Sequence, residues 1–184
     1  MKNNQKIWFT SDNHFGHKAI LNFCRDSRHG NNPDEMNELI IAQWNSQVAL
    51  ADIVYCLGDF SFLSAQKTEG ILKRLNGRIH LIQGNHDYFI DANTSKYFES
   101  ISSYKEVTID GILVVMSHYP FAEWNKGHYG SYHLYGHLHN KKVNADPARR
   151  MDVGIDARPQ KDMGLFSWEE IKEFLEPLAV LSHH

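Results

Sequence analysis

Residues Asp52 to Gln83 constrain the fold more than any other stretch. Asp52 to Leu57 reads as a buried strand. Ser64 caps a following helix whose apolar residues are Ile71, Leu72 and Leu75, with Lys73 and Arg74 near its negative pole and Gly77 as terminator. Arg78 to Gln83 is again a strand. A strand, a helix and a strand in about thirty residues form a βαβ unit with parallel strands. The chain is therefore expected to be α/β.

The flanking segments extend this pattern. Ile7 to Thr10 is a strand rich in β-branched and aromatic residues, and a helix is expected from Lys18 to about Asp26. Arg28 to Asn32 reads as a polar loop. Asn32, Pro33 and Glu35 supply the cap, first position and capping-box acid of the next helix. Its stripe Met36, Ile40, Trp44 and Val48, with Leu39 beside it, is expected to face the core. Tyr88 to Ser103 reads as a short helix and a loop. Tyr104 to Ile109 and Ile112 to Met116 form a hairpin about Asp110-Gly111. An aromatic-rich loop, Pro120 to Gly130, precedes short strands at His133 to Gly136 and Met151 to Ile155. A last helix starts at Ser167 with Glu170 in a capping box and stops at Pro177. No repeat or linker divides the 184 residues, so a single domain over 1–184 is expected, with His183 and His184 set aside as native or a cloning remnant.

Composition narrows the partners. Hydrophobic residues make up 42% and charged residues 22%, ordinary for a soluble globular protein. A net charge of -3 argues against a basic face that holds long duplex nucleic acid, but leaves a short or single nucleotide open. The longest wholly apolar runs, such as Ile112 to Met116, are far too short to cross a bilayer. Met1 to Lys6 carries no secretory apolar region, and Cys24 and Cys56 form no paired motif, with Cys56 reading as a buried free thiol. A reduced, cytoplasmic protein without membrane contact is expected.

Histidine is the unusual residue. There are 12, and five sit in short blocks: Asp12-Asn13-His14, Gly58-Asp59, Gly84-Asn85-His86-Asp87, Ser117-His118 and Gly136-His137-Leu138-His139. Asp12, Asp59 and Asn85 each lie just past the carboxyl end of a predicted strand, where ligands gather in open α/β sheets. The hairpin's second strand delivers His118, and the next strand delivers His137 and His139. Each block alone is weak. Together they offer three oxygen donors and four imidazoles at strand ends, a pattern specific for metal.

In order and spacing, the five blocks resemble the calcineurin-like metallophosphoesterase family, in particular its small single-domain bacterial and phage members. The resemblance implies a four-layer α/β/β/α sandwich of two mixed β-sheets flanked by helices. It implies two divalent metal ions, with Mn2+ expected and Fe or Zn2+ fitting the same donors. By motif, Asp12, His14 and His139 would hold one ion, Asn85, His118 and His137 the other, and Asp59 would bridge them. The implied activity is hydrolysis of phosphate mono- or diesters, of small nucleotides or nucleic-acid ends, by a metal-bridging hydroxide. His86 would protonate the leaving oxygen as general acid; its alternative is a hydrogen-bonded structural His.

One departure from the family matters. Its protein Ser/Thr phosphatases follow the Gly-Asp block with an Asp that orients the catalytic His and an Arg that grips phosphate. Here Phe60-Ser61-Phe62-Leu63 follows instead, so a phosphoprotein substrate is not expected. Asp87 either orients His86 or is a turn carboxylate bonded to its own backbone. His17 is a candidate phosphate contact or a helix-start hydrogen bond. His133 is in phase with His137 and either supports the metal shell or packs. Trp124 and Tyr129 are candidates for stacking on a base, although aromatic loops more often pack on their own domain. Arg149, Arg150 and Arg158 are candidates for a second phosphate, and Lys141 and Lys142 read as solvated. The rival class is a non-catalytic metal-binding interaction module on the same fold. Such a module has no need of a complete ligand set with a further His beside it.

Overall fold

The protein is described from a computed structural model over residues 5–143 and 148–182. Met1 to Asn4, His183 and His184 lie outside the described residues. The first sheet has the order β4-β3-β2-β1-β9 and the second β5-β6-β7-β8. The first comprises β1 (Ile7–Thr10), β2 (Ile53–Cys56), β3 (Arg78–Ile82), β4 (Phe98–Ser102) and β9 (Phe166–Ser167). The second comprises β5 (Tyr104–Ile109), β6 (Ile112–Ser117), β7 (Tyr132–Tyr135) and β8 (Arg150–Asp152). Strands β1 to β4 run parallel and β9 antiparallel to β1. In the second sheet β5 is antiparallel and β6, β7 and β8 are parallel, so both sheets are mixed.

Alternation along the first sheet builds two cores at once. Trp8, Val54, Cys56, Ile79 and Leu81 face the helices α1 (Ile20–Phe23), α2 (Pro33–Gln47) and α3 (Ala65–Leu72). Phe9, Tyr55, Leu57 and Ile82 point the other way and interdigitate with Val114, Met116, Tyr132 and Leu134 of the second sheet. Helix α4 (Trp168–Leu175) adds Trp168, Ile171 and Leu175 to this inter-sheet core and packs on β1 and β8. The second sheet's outer face is covered by the aromatic loop, with Trp124 against Val115 and Ala148. The expected sandwich is thus present, with a thinner layer on that face. No helix among the described residues is long and apolar enough to cross a membrane.

Local signals set several boundaries as read. Asn32 accepts from Glu35 N, and Ser167 and Glu170 form a reciprocal capping box. Asp110 and Gly111 turn the hairpin with φ of 50° and 82°. Other expectations fail for identifiable reasons. Strand β4 occupies part of the segment read as helix and loop; it is a polar edge strand, so its sequence lacks a buried apolar run. Strand β9 has two residues, too few for a pattern. Helix α1 is shorter than expected, because its N-cap Ala19 offers no side-chain cap and residues 24–28 turn inward toward Asp156. Helix α3 ends before Gly77, its last turn tightened by Arg74 N donating to Ile71 O at 2.8 Å. Strand β8 stops at Asp152, whose carboxylate accepts from Gly154 N and turns the chain. Leu39 is exposed, and Ile41 is buried with the stripe instead.

Trp44 anchors the helical layer. It is fully buried and donates from Nε1 to Asn76 O at 2.8 Å. Trp44→Ala should cost about 3–5 kcal/mol, read as a lower urea midpoint at unchanged slope. A loss below about 1 kcal/mol would mean that neighbouring side chains collapse into the space.

Candidate metal centre

The carboxyl ends of β1, β2, β3, β6 and β7 meet at one edge, and the turns that follow them carry the polar blocks. The crossing is close: Asp12 N donates to Gly58 O at 2.9 Å, His14 N to Asp59 O at 3.0 Å, and Gly136 N to His118 O at 2.9 Å. The turns are sharp. Asp12, His14, Asp59, His137 and His139 all have left-handed backbones, with φ of 55°, 52°, 52°, 69° and 48°. Non-glycine residues reach that region at a cost and persist there only where the surroundings hold them.

The donors form two groups. Ligand atoms of Asp12, His14 and His139 lie within 4.8 Å of one another, as do those of Asp59, His118 and His137. Asp59 stands between them, with Oδ2 3.6 Å from His14 Nε2 and Oδ1 3.5 Å from His118 Nε2. Asn85 joins the second group, its Oδ1 3.1 Å from His118 Nε2. All seven sequence-predicted ligands are therefore brought together.

Three features suit a cation. Asp12 Oδ1 and His14 Nε2 are buried without hydrogen-bond partners and lie 3.7 Å apart, an arrangement that costs free energy unless something positive lies between them. His118 Nδ1 meets Leu57 O at 2.7 Å, so that nitrogen carries the proton and Nε2 turns its lone pair toward Asn85 Oδ1. Burial holds the His14 and His137 pKa values below the usual imidazole range, which favours the neutral, ligating form. For Asp12, burial raises the pKa, but His14, His139 and His118 together outweigh it and hold the carboxylate ionised.

A supporting shell lies behind the first group. His139 Nδ1 meets Asp156 Oδ2 at 2.7 Å. Burial disfavours its charge, yet the contacts to Asp156, Cys24 and Asp12 push its pKa up to about 10. Arg28, buried, clamps Asp156 through Nε and Nη2 at 2.7 and 2.6 Å and donates to the carbonyls of Asp12 and Asn13 at 2.6 and 2.9 Å. Cys24, His139 and Asp156 also lie within 4.8 Å of one another, but Asp156 is already engaged by Arg28 and Ser27. His17 Nδ1 lies 2.9 Å from His14 Nδ1, and burial with the neighbouring His14 lowers its pKa to about 4. It backs His14 rather than presenting a free cation to phosphate.

His86 stands at the rim. Its side chain is 40% exposed, its Nε2 is 4.0 Å from Asp59 Oδ2, and its backbone N donates to Asp59 Oδ1 at 2.9 Å. Asp87 does not orient it. Both Asp87 oxygens accept backbone amides, from Gly84 at 2.7 Å, Phe60 at 2.8 Å and Asp59 at 3.1 Å. Asp87 ties the Asp59 turn to the Asn85 turn, and the turn-carboxylate alternative is the one the structure adopts.

The predicted substrate contacts lie elsewhere. Trp124 is buried and donates to Ser131, so it packs rather than stacks on a base. Tyr129 is exposed, with its ring against His128. Arg158 is buried between Asp162 and Glu170, over the Phe166 ring. Arg149 donates to the carbonyls of Leu178 and Glu176, and Arg150 to Phe121 O. His133 uses both ring nitrogens structurally, toward Val115 O and Phe121 N. Sequence reading missed four neighbours of the site. Arg28 and Asp156 gave no local signal. Phe62 lies against His14, His17 and His86 at 4.8, 4.0 and 4.6 Å between ring centroids. Tyr119 donates to Asn85 Oδ1 at 3.2 Å and is flagged only by following His118.

Comparison with known proteins gives the family and the fold. The sequence profile of the calcineurin-like phosphoesterase superfamily domain matches residues 6–154. An uncharacterized protein of Methanocaldococcus jannaschii is 32% identical over 145 residues, 78% of this chain and 74% of that protein. The gene 66 protein of Mycobacterium phage D29 is 30% identical over 181 residues, covering 82% of this chain and 88% of that protein. In fold, a protein of unknown function from Aquifex aeolicus superposes with a TM-score of 0.71 at 24% identity, covering 93% of this chain and 100% of that one.

Gly84 is the glycine packed closest on the Asp59 carboxylate. A Cβ there would stand 2.3 Å from Asp59 Oδ1 and 2.5 Å from Asp59 N. Gly84→Ala should displace the central carboxylate and lower Mn2+ uptake at least tenfold in equilibrium dialysis, while the circular dichroism spectrum stays folded. Unchanged uptake would show that the turn yields without moving Asp59.

Proposed function

The chain belongs to the calcineurin-like phosphoesterase superfamily, and from that premise we propose that it is a dinuclear metal-dependent hydrolase of phosphate mono- or diesters of small nucleotides or nucleic-acid ends. The observation that carries this reading is the convergence of two donor groups on Asp59, with His86 beside them and outside both. Asp12, His14 and His139 would hold one ion, Asn85, His118 and His137 a second, and Asp59 would bridge. Bound there, two divalent ions, Mn2+ foremost, would polarise a phosphoryl oxygen and lower the pKa of a water molecule.

The chain's own groups supply orientation and a proton. The Leu57 carbonyl fixes the His118 tautomer, and Asp156 fixes the ring of His139. His86 is half-exposed, so an ester can reach it, and its backbone bond to Asp59 sets its distance from the metal donors. In hydrolysis the water oxygen joins phosphorus, the bond to the leaving oxygen breaks, and His86 gives that oxygen its proton. The interaction-module reading leaves the rim position of His86 without a purpose.

Elemental analysis of Mn2+-loaded protein should approach roughly two ions per chain. Asp59→Asn should lower occupancy of both positions, whereas His139→Ala should bring the count toward one. A wild-type count that stays at or below one under saturation removes the two-ion arrangement.

Turnover of mono-, di- and cyclic phosphates with added Mn2+ tests the activity, and His86→Asn tests the mechanism. A p-nitrophenolate leaves without a proton, so this variant should slow p-nitrophenyl esters only modestly. An alkoxide needs the proton, and its esters should slow roughly 10²–10⁴-fold with metal content unchanged. Equal slowing of both would make His86 a positioning group. Metal binding without turnover of any ester would favour the interaction module.

A further inference from the structure

A cleft of about 440 Å3 opens directly beside His86, within the roughly 300–1,000 Å3 usual for small-molecule sites. Its walls are Phe62, Leu63, Tyr88 and Phe89, with Ser64 and His86 at its margins. None of these side chains carries a fixed charge, so the cleft suits a neutral group rather than a second phosphate. Two of its rings are open to solvent: Tyr88 is 86% and Phe62 37% exposed. Single exposed aromatics are common and mean little. Two that flank the same wall as the proton donor form a directed surface.

The two rings are placed differently. Tyr88 N donates to His86 O at 2.9 Å, which fixes the backbone turn, and the exposed Tyr88 ring stands with its centroid 6.4 Å from that of His86 at 77°. Phe62 is fixed by His17 stacked on it at 4.0 Å and 11°, and stands 4.6 Å from the His86 ring. A group that departs toward His86 on this side meets the aromatic cleft.

We propose that Tyr88 and Phe62 form a stacking platform for the leaving group, and that the preferred substrate is a phosphate ester whose departing alcohol is a nucleoside. This rests on the hydrolase reading above and adds the identity of the departing side. Hydrolysis breaks the bond between phosphorus and the nucleoside oxygen, water supplies the new oxygen on phosphorus, and His86 supplies the proton that the nucleoside takes away. Stacking on an aromatic ring recognises every base, because each has a flat face, so the platform selects for a base rather than for one base.

Adenosine 5′-monophosphate and ribose 5-phosphate share the scissile oxygen and differ at C1′, where one carries the base and the other a hydroxyl. Both are tested as monoesters and as methyl diesters with the Mn2+-loaded protein, by turnover and by calorimetric binding, with adenosine as a phosphate-free probe. The wild type should prefer the adenosine esters in KM. Tyr88→Ala should raise their KM and the adenosine Kd roughly five- to a hundredfold and leave the ribose esters within about twofold. Tyr88→Phe, which keeps the ring, should behave as wild type. Tyr88 is exposed, so neither change threatens folding; Phe62→Ala, which also disturbs His17, is a secondary check. Equal effects on adenosine and ribose esters, or no wild-type preference, overturn the platform while leaving the hydrolase standing. Tyr88-dependent adenosine binding without turnover of any ester sinks the hydrolase reading and keeps the platform. Absence of adenosine binding together with absence of turnover overturns both.

Discussion

The structure depends on Asp59 being held where two sheets meet. Its carboxylate lies between two sets of donors, its backbone carbonyl takes His14 N, and its own N–H goes to Asp87. Asp59 and four other donor residues sit in left-handed backbone, each at a cost of order 1–3 kcal/mol. That strain is tolerable because neighbouring turns hold one another. Asp87 joins three amides from two turns, Asp12 Oδ2 accepts His137 N, and Arg28 bonds the carbonyls of Asp12 and Asn13. The parallel strands beneath give this lattice a stiff base and bring residues far apart in sequence to one edge.

This explains what was legible in the chain. Asp12, Asp59 and Asn85 were readable as one site because a βαβ unit forces strand ends onto the same edge, and position then follows from topology. The hairpin was readable because Asp110-Gly111 permits the left-handed turn that it needs. Strand β4 was not readable, because an edge strand buries little and needs no apolar run. Arg28 and Asp156 were hidden for a different reason. Each acts through the other across 128 residues, and a buried pair of that separation leaves no local pattern. Asp87 was ambiguous from sequence because a carboxylate three residues after a glycine serves a turn or a neighbouring ring equally well. Only the positions of the Asp59 and Phe60 amides decide it.

The residues after Asp59 change the character of the site. Among the described residues, the arginines named in the sequence reading are committed to carbonyls, carboxylates and ring faces of the scaffold. Arg28 reaches the site only through backbone and Asp156. The place beside His86 is taken by Phe62. The charge that a phosphate brings would thus be met by the metal donors' ions and by His86. What surrounds them is aromatic: Phe62 and Tyr88 near His86, and Tyr119 over Asn85. Such walls would suit the organic part of an ester, with the charge left to the polar centre.

The buried polar atoms bear on whether the fold is a retired scaffold. Asp12 Oδ1 and His14 Nε2 face each other without partners in a buried site. Without a cation, neither atom has a hydrogen bond to offset a desolvation cost of about 1–3 kcal/mol. A module selected only for its surface would gain stability by replacing either with a group that fills the space, as apolar replacement of buried charge often does. His86 sharpens the contrast. A ligand His is locked by metal and a backing hydrogen bond, whereas this one stands half-exposed with its ring beside an open cleft. Metal storage would not require it, and a binding surface would not require it to lie 4.0 Å from the central carboxylate. Proton delivery to a departing oxygen, as proposed, would use both.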